Sequence, residues 1–98
     1  MTPRQHADSL VRVLEGRGEE DAHLRVAARW LELIDRVNVG SAELKSLLAD
    51  AQALPFMGSA TIDLQQGVRG WAEPARRRAM VKEQKRELAQ QWGVQSPR

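Results

Sequence analysis

The residues best suited to bind a charged ligand lie close together between positions 76 and 86. Six cations occur in this segment against one acid, Glu83, and they are Arg76, Arg77, Arg78, Lys82, Lys85 and Arg86. Phosphate recognition needs several guanidinium and ammonium groups on a rigid element with few competing carboxylates. The segment therefore predicts a site that contacts nucleic-acid phosphates, although an acidic protein partner would explain the same charges.

Helical geometry predicts how these cations are displayed. At about 100° per residue, Val81, Leu88 and Trp92 fall on one narrow apolar stripe, and the cations occupy most of the remaining circumference. We expect the apolar stripe to pack and the cationic surface to face water. Trp71 and Trp92 could stack on unpaired bases, although tryptophans at helical spacing usually belong to a core.

Residues for catalysis or metal binding are sparse. His6 and His23 fall on different predicted helices without a carboxylate cluster at ligand spacing, so we expect no metal site and two partly exposed imidazoles. The serines and glycines form neither a nucleophile elbow nor a phosphate-binding loop. Cysteine is absent, which excludes disulfides and thiol catalysis. We expect a protein that is not an enzyme and holds no cofactor.

Length and composition favour one small helical domain. A chain of 98 residues suits one core, and 42% hydrophobic with 29% charged residues is typical of a folded protein. Leu and Ala, both strong helix formers, dominate the apolar set. The N-terminus lacks the apolar segment of a signal peptide, and the longest apolar run covers only residues 53–57. We expect a cytoplasmic protein without a membrane span.

The charges divide unevenly along the chain. Residues 1–50 hold seven Lys/Arg and nine Asp/Glu, a net charge of −2, whereas residues 51–98 hold eight and four, a net charge of +4. The division indicates an acidic packed first half and a basic end that is available to a partner.

The apolar spacing predicts an antiparallel bundle of four to five helices with short connections. The first helix begins at Thr2-Pro3 and ends at residues 16–18, the second runs from residues 19–21 to Val37, and the third follows a Ser41 cap. A short helix from Asp63 to Trp71 and a last one from 73 to 92 complete the bundle. Residues 1–94 form the predicted domain, and residues 95–98 a disordered tail.

The connection at residues 54–62 is unusually apolar for a loop, since loop backbone normally stays hydrated. It contains Phe56 and Met57. The usual arrangement is that such residues fold back and close the end of a bundle. The alternative is an exposed patch in which Phe56 and Met57 insert into a partner.

Two hypotheses of function follow. The first is a non-enzymatic basic subunit or regulator of a nucleoprotein complex, which contacts phosphates through its last helix. The alternative is a protein–protein adaptor or inhibitor, of the kind that phages or plasmids encode, which docks through the 54–62 loop or self-associates as a helical oligomer.

Overall fold

The computed structural model describes residues 1–16 and 21–91. These residues form four α-helices and no strand, which confirms the predicted small all-α bundle. The helices are α1 (Pro3–Gly16), α2 (Asp21–Asp35), α3 (Ser41–Gln52) and α4 (Ser59–Gln91). The predicted stop after Gly16, the cap of the last helix near Trp92 and the tail at 95–98 lie outside the described residues.

Sequential helices run antiparallel, as contacts between their ends show. Arg4 at the start of α1 pairs with Asp35 at the end of α2, a hydrogen bond that raises the pKa of the Arg4 guanidinium. The side chain of Gln65 in α4 donates to the carbonyl of Ala51 at the end of α3, at 3.0 Å. All four helices contribute to one apolar core, whose largest buried side chains include Leu14, Trp30, Leu33, Leu44, Leu47, Leu64 and Val68.

The start of α1 is closed by a reciprocal pair of side-chain hydrogen bonds. The amide of Gln5 donates to Thr2 Oγ1 at 3.1 Å, and the amide of Thr2 donates to Gln5 Oε1 at 3.0 Å. This is a capping box, with Pro3 at the first helical position, where its missing amide hydrogen costs nothing. The predicted start at Thr2-Pro3 is confirmed.

The predicted Ser41 cap is wrong. Gly40 occupies the N-cap position of α3, and no side chain caps the helix. The Ser41 hydroxyl instead lies 3.3 Å from both carboxylate oxygens of Glu83 in α4. Helix α2 also ends earlier than predicted, at Asp35, so Val37 leaves the helix and is 96% exposed.

Helix α4 is continuous where the sequence predicted a loop and two separate helices. It runs through Gly67, Gly70 and Pro74, the residues whose low helix propensity indicated breaks. Its start at Ser59 also precedes the predicted Asp63 cap. At 1.5 Å per residue its 33 residues span about 50 Å, roughly twice the length of any other helix. The second half of α4 therefore extends past the bundle.

Within the described ranges, no helix has the length and apolar character needed to cross a membrane.

Candidate nucleic-acid interface

The bundle ends part-way along α4. Ala72 is the last fully buried residue of the helix, and every residue from Val81 to Gln91 is exposed. The predicted cations lie in this outer half. Arg77, Arg78, Lys82, Lys85 and Arg86 are exposed, whereas Arg76 is half-buried. The structure therefore displays five of the six cations on a helix that has left its core.

The cations continue the core-facing side of α4. Counting about 100° per residue, Arg78, Lys82 and Arg86 lie within about 40° of the direction of buried Leu64. They follow one another at intervals of four residues, about 6 Å along the axis. The same face is thus apolar inside the bundle and cationic beyond it.

The predicted packing of the outer half of α4 is wrong. Val81 and Leu88, expected on a packed stripe, are 49% and 47% exposed. Because α4 is one helix, the angular position of its outer half is set by its buried residues. At about 100° per residue, Val81 and Leu88 lie about 100–120° from the direction of buried Leu64. Trp92, the third residue of that stripe, lies outside the described residues.

A groove of about 1080 Å³ separates the outer half of α4 from the connection between α2 and α3. Most of its lining residues are apolar or cationic, Asn38 and Gly40 are neutral, and Glu83 is the one acid among those described. The apolar ones are Ile34, Val37, Val39, Leu44, Trp71, Ala75, Ala79 and Val81, and the cations are Arg36, Arg77, Arg78, Lys82, Lys85 and Arg86. We call this the α4 groove.

The α4 cations in the groove have no carboxylate partners in the described part of the chain. The salt bridges found there engage Arg4, Arg29 and Arg36, and Arg36 is held by Glu43. The Glu83 carboxylate points to α3, where it accepts a hydrogen bond from the Ser41 hydroxyl. A concave surface lined by one sign of charge concentrates its field, so the groove attracts anions.

Arg76 differs from the other five cations. It does not line the α4 groove, and its Nε atom is buried without a hydrogen-bond partner in the described structure. Part of its guanidinium group is thus buried instead of being displayed to a ligand. We therefore separate Arg76 from the predicted set of phosphate-binding residues.

The two tryptophans in the described part of the chain have different environments. Trp71 is half-buried and lines the α4 groove. Trp30 is in the core, where its ring meets the imidazole of His6 edge-on at a centroid distance of 5.9 Å. The predicted base-stacking role is thus geometrically open to Trp71, and Trp92 is outside the described residues.

Sequence reasoning missed the second wall of the groove. Arg36, Val37 and Val39 belong to the connection between α2 and α3 and face the outer half of α4. The available signal was an apolar connection, the same feature that singled out the 54–62 loop. The sequence predicts that the second helix extends to Val37, and this prediction hides that signal.

The predicted closure of the bundle by the loop is wrong for Phe56, which is 75% exposed. Leu54, 9% exposed, closes the core at this end instead. Hydrogen bonds from the core fix the loop backbone, because His23 Nε2 lies 3.2 Å from the Pro55 carbonyl oxygen and 3.1 Å from Thr61 Oγ1. The amide of Met57 donates to Thr61 Oγ1 at 3.0 Å.

His23 is therefore fully buried, and the expectation that it is partly exposed is wrong. Its position on α2 brings it against the loop and the first turn of α4, contacts that no local sequence pattern indicates. Among the residues that the structure describes, no cluster of three or more His, Asp and Glu side chains could hold a metal ion.

Comparisons with protein-family models, with curated proteins and with solved structures find no match to this chain.

Proposed function

We propose that this chain is a non-enzymatic binding subunit or regulator of a nucleoprotein complex, and that it contacts nucleic-acid phosphates through the outer half of α4. The supporting observation is the row Arg78, Lys82 and Arg86, which continues the core-facing side of the helix into solvent. Lys85 and Arg77 stand beside this row and line the same groove.

Two features favour a charged ligand over a purely structural surface. Elsewhere on this surface cations lie beside carboxylates, as Arg29 pairs with Asp50 at 2.8 Å. The five groove cations that belong to α4 have no such partner among the described residues, and they stand on a helix fixed at one end by the core. Their mutual repulsion is relieved when an anion binds.

The test is a matched pair of triple variants, R78Q/K82Q/R86Q and R12Q/R25Q/R69Q. Both remove the same charge from exposed arginines or lysines, but the second set lies outside the α4 groove. Binding to labelled oligonucleotides is measured by fluorescence anisotropy between about 50 and 200 mM salt. We expect the groove variant to lose at least about tenfold in affinity at low salt, with the salt slope falling by about 2 to 3.

The control variant should keep most of the wild-type affinity. Equal loss in both variants would assign the binding to net charge rather than to this surface. No binding of wild-type protein at low salt would refute the proposal, provided that circular dichroism shows the protein folded.

A second candidate function rests on the exposed Phe56. Its loop is fixed by the His23 and Thr61 hydrogen bonds, so the ring is presented without much further loss of backbone entropy. Such an anchor suits an adaptor or a self-associating protein. Sedimentation velocity of the wild type and F56S over a wide concentration range tests self-association, and a monomer at every concentration would refute that version.

A further inference from the structure

We infer that the α4 groove is a site for single-stranded rather than duplex nucleic acid. This inference rests on the proposed function and concerns the form of the ligand. Two features support it: the position of the α4 cations along the groove, and the apolar and aromatic residues that line the groove beside them.

The outward face of α4 is poor in cations. A duplex that received the outer half of α4 in its major groove would meet the side of the helix that points away from the bundle. That side carries Gln84, Leu88 and Gln91, and Arg77 is the one cation among them. Arg78, Lys82 and Arg86 line the groove together with the α2–α3 connection instead, so a duplex on the outward face would not contact this row.

The interior of the groove suits unpaired nucleotides. Proteins that bind single strands combine a cationic track for the backbone with apolar and aromatic surfaces for the bases. Here the cationic row of α4 forms one wall, and Trp71, Val37 and Val39 supply the apolar surface. Binding sites for compact ligands occupy roughly 300–1,000 Å³, so a groove of 1080 Å³ holds a short stretch of strand.

Charge complementarity favours a polyanion as the occupant. Five α4 cations line the groove without described carboxylate partners, and Glu83 is engaged by Ser41. A single strand offers a phosphate at every nucleotide together with a flat base at every step. An acidic peptide supplies the charge but gives Trp71 no comparable stacking partner.

The experiment compares four probes on the wild-type protein by fluorescence anisotropy. They are oligo-dT, oligo-U, a duplex of equal length, and an abasic strand that keeps the phosphates but lacks the bases. We expect both single strands to bind at least about tenfold more tightly than the duplex, and the abasic strand to lose roughly tenfold relative to oligo-dT. The intrinsic tryptophan emission should change with oligo-dT and change less with the abasic strand.

A pair of single substitutions locates the strand. V37E adds a negative charge on the α2–α3 wall at a side chain that is 96% exposed, so folding should be unaffected. L88E adds the same charge on α4 but on its outward face, outside the groove lining. We expect V37E to weaken oligo-dT binding at least about fivefold more than L88E does.

Three results would overturn the inference. Equal or tighter binding of the duplex, together with a larger effect of L88E, would place a double helix on the outward face and leave the proposed function intact. Polyglutamate of matched charge binding as tightly as oligo-dT would assign the groove to an acidic protein. Absence of binding to every nucleic-acid probe at low salt would refute the inference and the proposed function together.

Discussion

Gly67 of α4 lies directly against the ring of Trp30 in α2. A Cβ atom built at Gly67 would stand 2.5 Å from Trp30 Cη2 and 3.0 Å from Cδ2 of His6. Trp30 is almost completely buried, so its ring has little room to withdraw. The helix tolerates a glycine here because no other residue allows α4 to approach the tryptophan so closely.

Replacing Gly67 with alanine should therefore destabilise the protein. The methyl group gains about 1 kcal/mol in helix propensity but overpacks a rigid contact at a cost of about 1–3 kcal/mol. We expect a net loss on the order of 1 kcal/mol in urea unfolding.

Gly70 provides the matched control, since nothing lies within 4 Å of a Cβ built there. G70A should raise stability by up to about 1 kcal/mol through propensity alone. Equal stabilisation by G67A and G70A would contradict the close packing of α4 on Trp30.

The buried Thr61 hydroxyl should matter more than its size suggests. T61V keeps the shape of the side chain but removes the acceptor of the Met57 amide and the partner of His23 Nε2. We expect a loss of about 1–3 kcal/mol in urea unfolding because buried polar groups lose their partners. The 55–58 segment should also be cleaved faster by a protease. T61S keeps the hydroxyl, so its cleavage should resemble that of the wild type, and its loss of stability should be smaller than that of T61V and arise from the buried methyl group that it lacks.

The capping box at the start of α1 gives a third prediction. T2A removes the hydroxyl that accepts the Gln5 amide, and it should cost about 0.5–2 kcal/mol in thermal or urea unfolding. S9A changes an exposed serine within the same helix and should be neutral or slightly stabilising. A loss of stability in S9A as large as in T2A would show that the cap is not responsible.

Truncation of the two apolar residues that flank Pro55 should change the free energy of unfolding by very different amounts. F56S removes a ring that is 75% exposed, so the free energy of unfolding should change by less than about 0.5 kcal/mol. L54A leaves a cavity in the core and should cost about 2–5 kcal/mol. If F56S destabilised the protein as much as L54A, Phe56 would have to be part of the core.

The parts of the fold that were predictable depend on local signals. Thr2 and Pro3 indicate the start of α1, and the apolar spacing of Leu10 and Leu14 identifies its buried side. These features require only neighbouring residues. The same holds for the cluster of cations between 76 and 86, five of which are exposed on α4, while their role in binding stays a prediction.

The errors arise where a distant contact overrides a local preference. Gly67, Gly70 and Pro74 lower helix propensity, and the sequence alone does not reveal that Gly67 is required by Trp30. Two separate helices have no fixed rotation relative to each other, so the sequence does not relate the outer half of α4 to Leu64. It therefore predicts the wrong face of this half as packed, and it does not place the row Arg78, Lys82 and Arg86 opposite the α2–α3 connection.

Pro74 has a consequence for the timing of motion within α4. It has no amide hydrogen to donate to the carbonyl of Gly70, so the hydrogen-bond ladder is interrupted close to where the core ends at Ala72. Amides near Leu64 and Val68 can exchange with solvent only when the bundle opens, over seconds to days. Those beyond Val81 depend on a short exposed helix, which gains and loses turns in about a microsecond. The two halves of α4 should therefore exchange their amide hydrogens at very different rates. Slower exchange in the outer half on addition of a ligand would show that the ligand binds in the α4 groove.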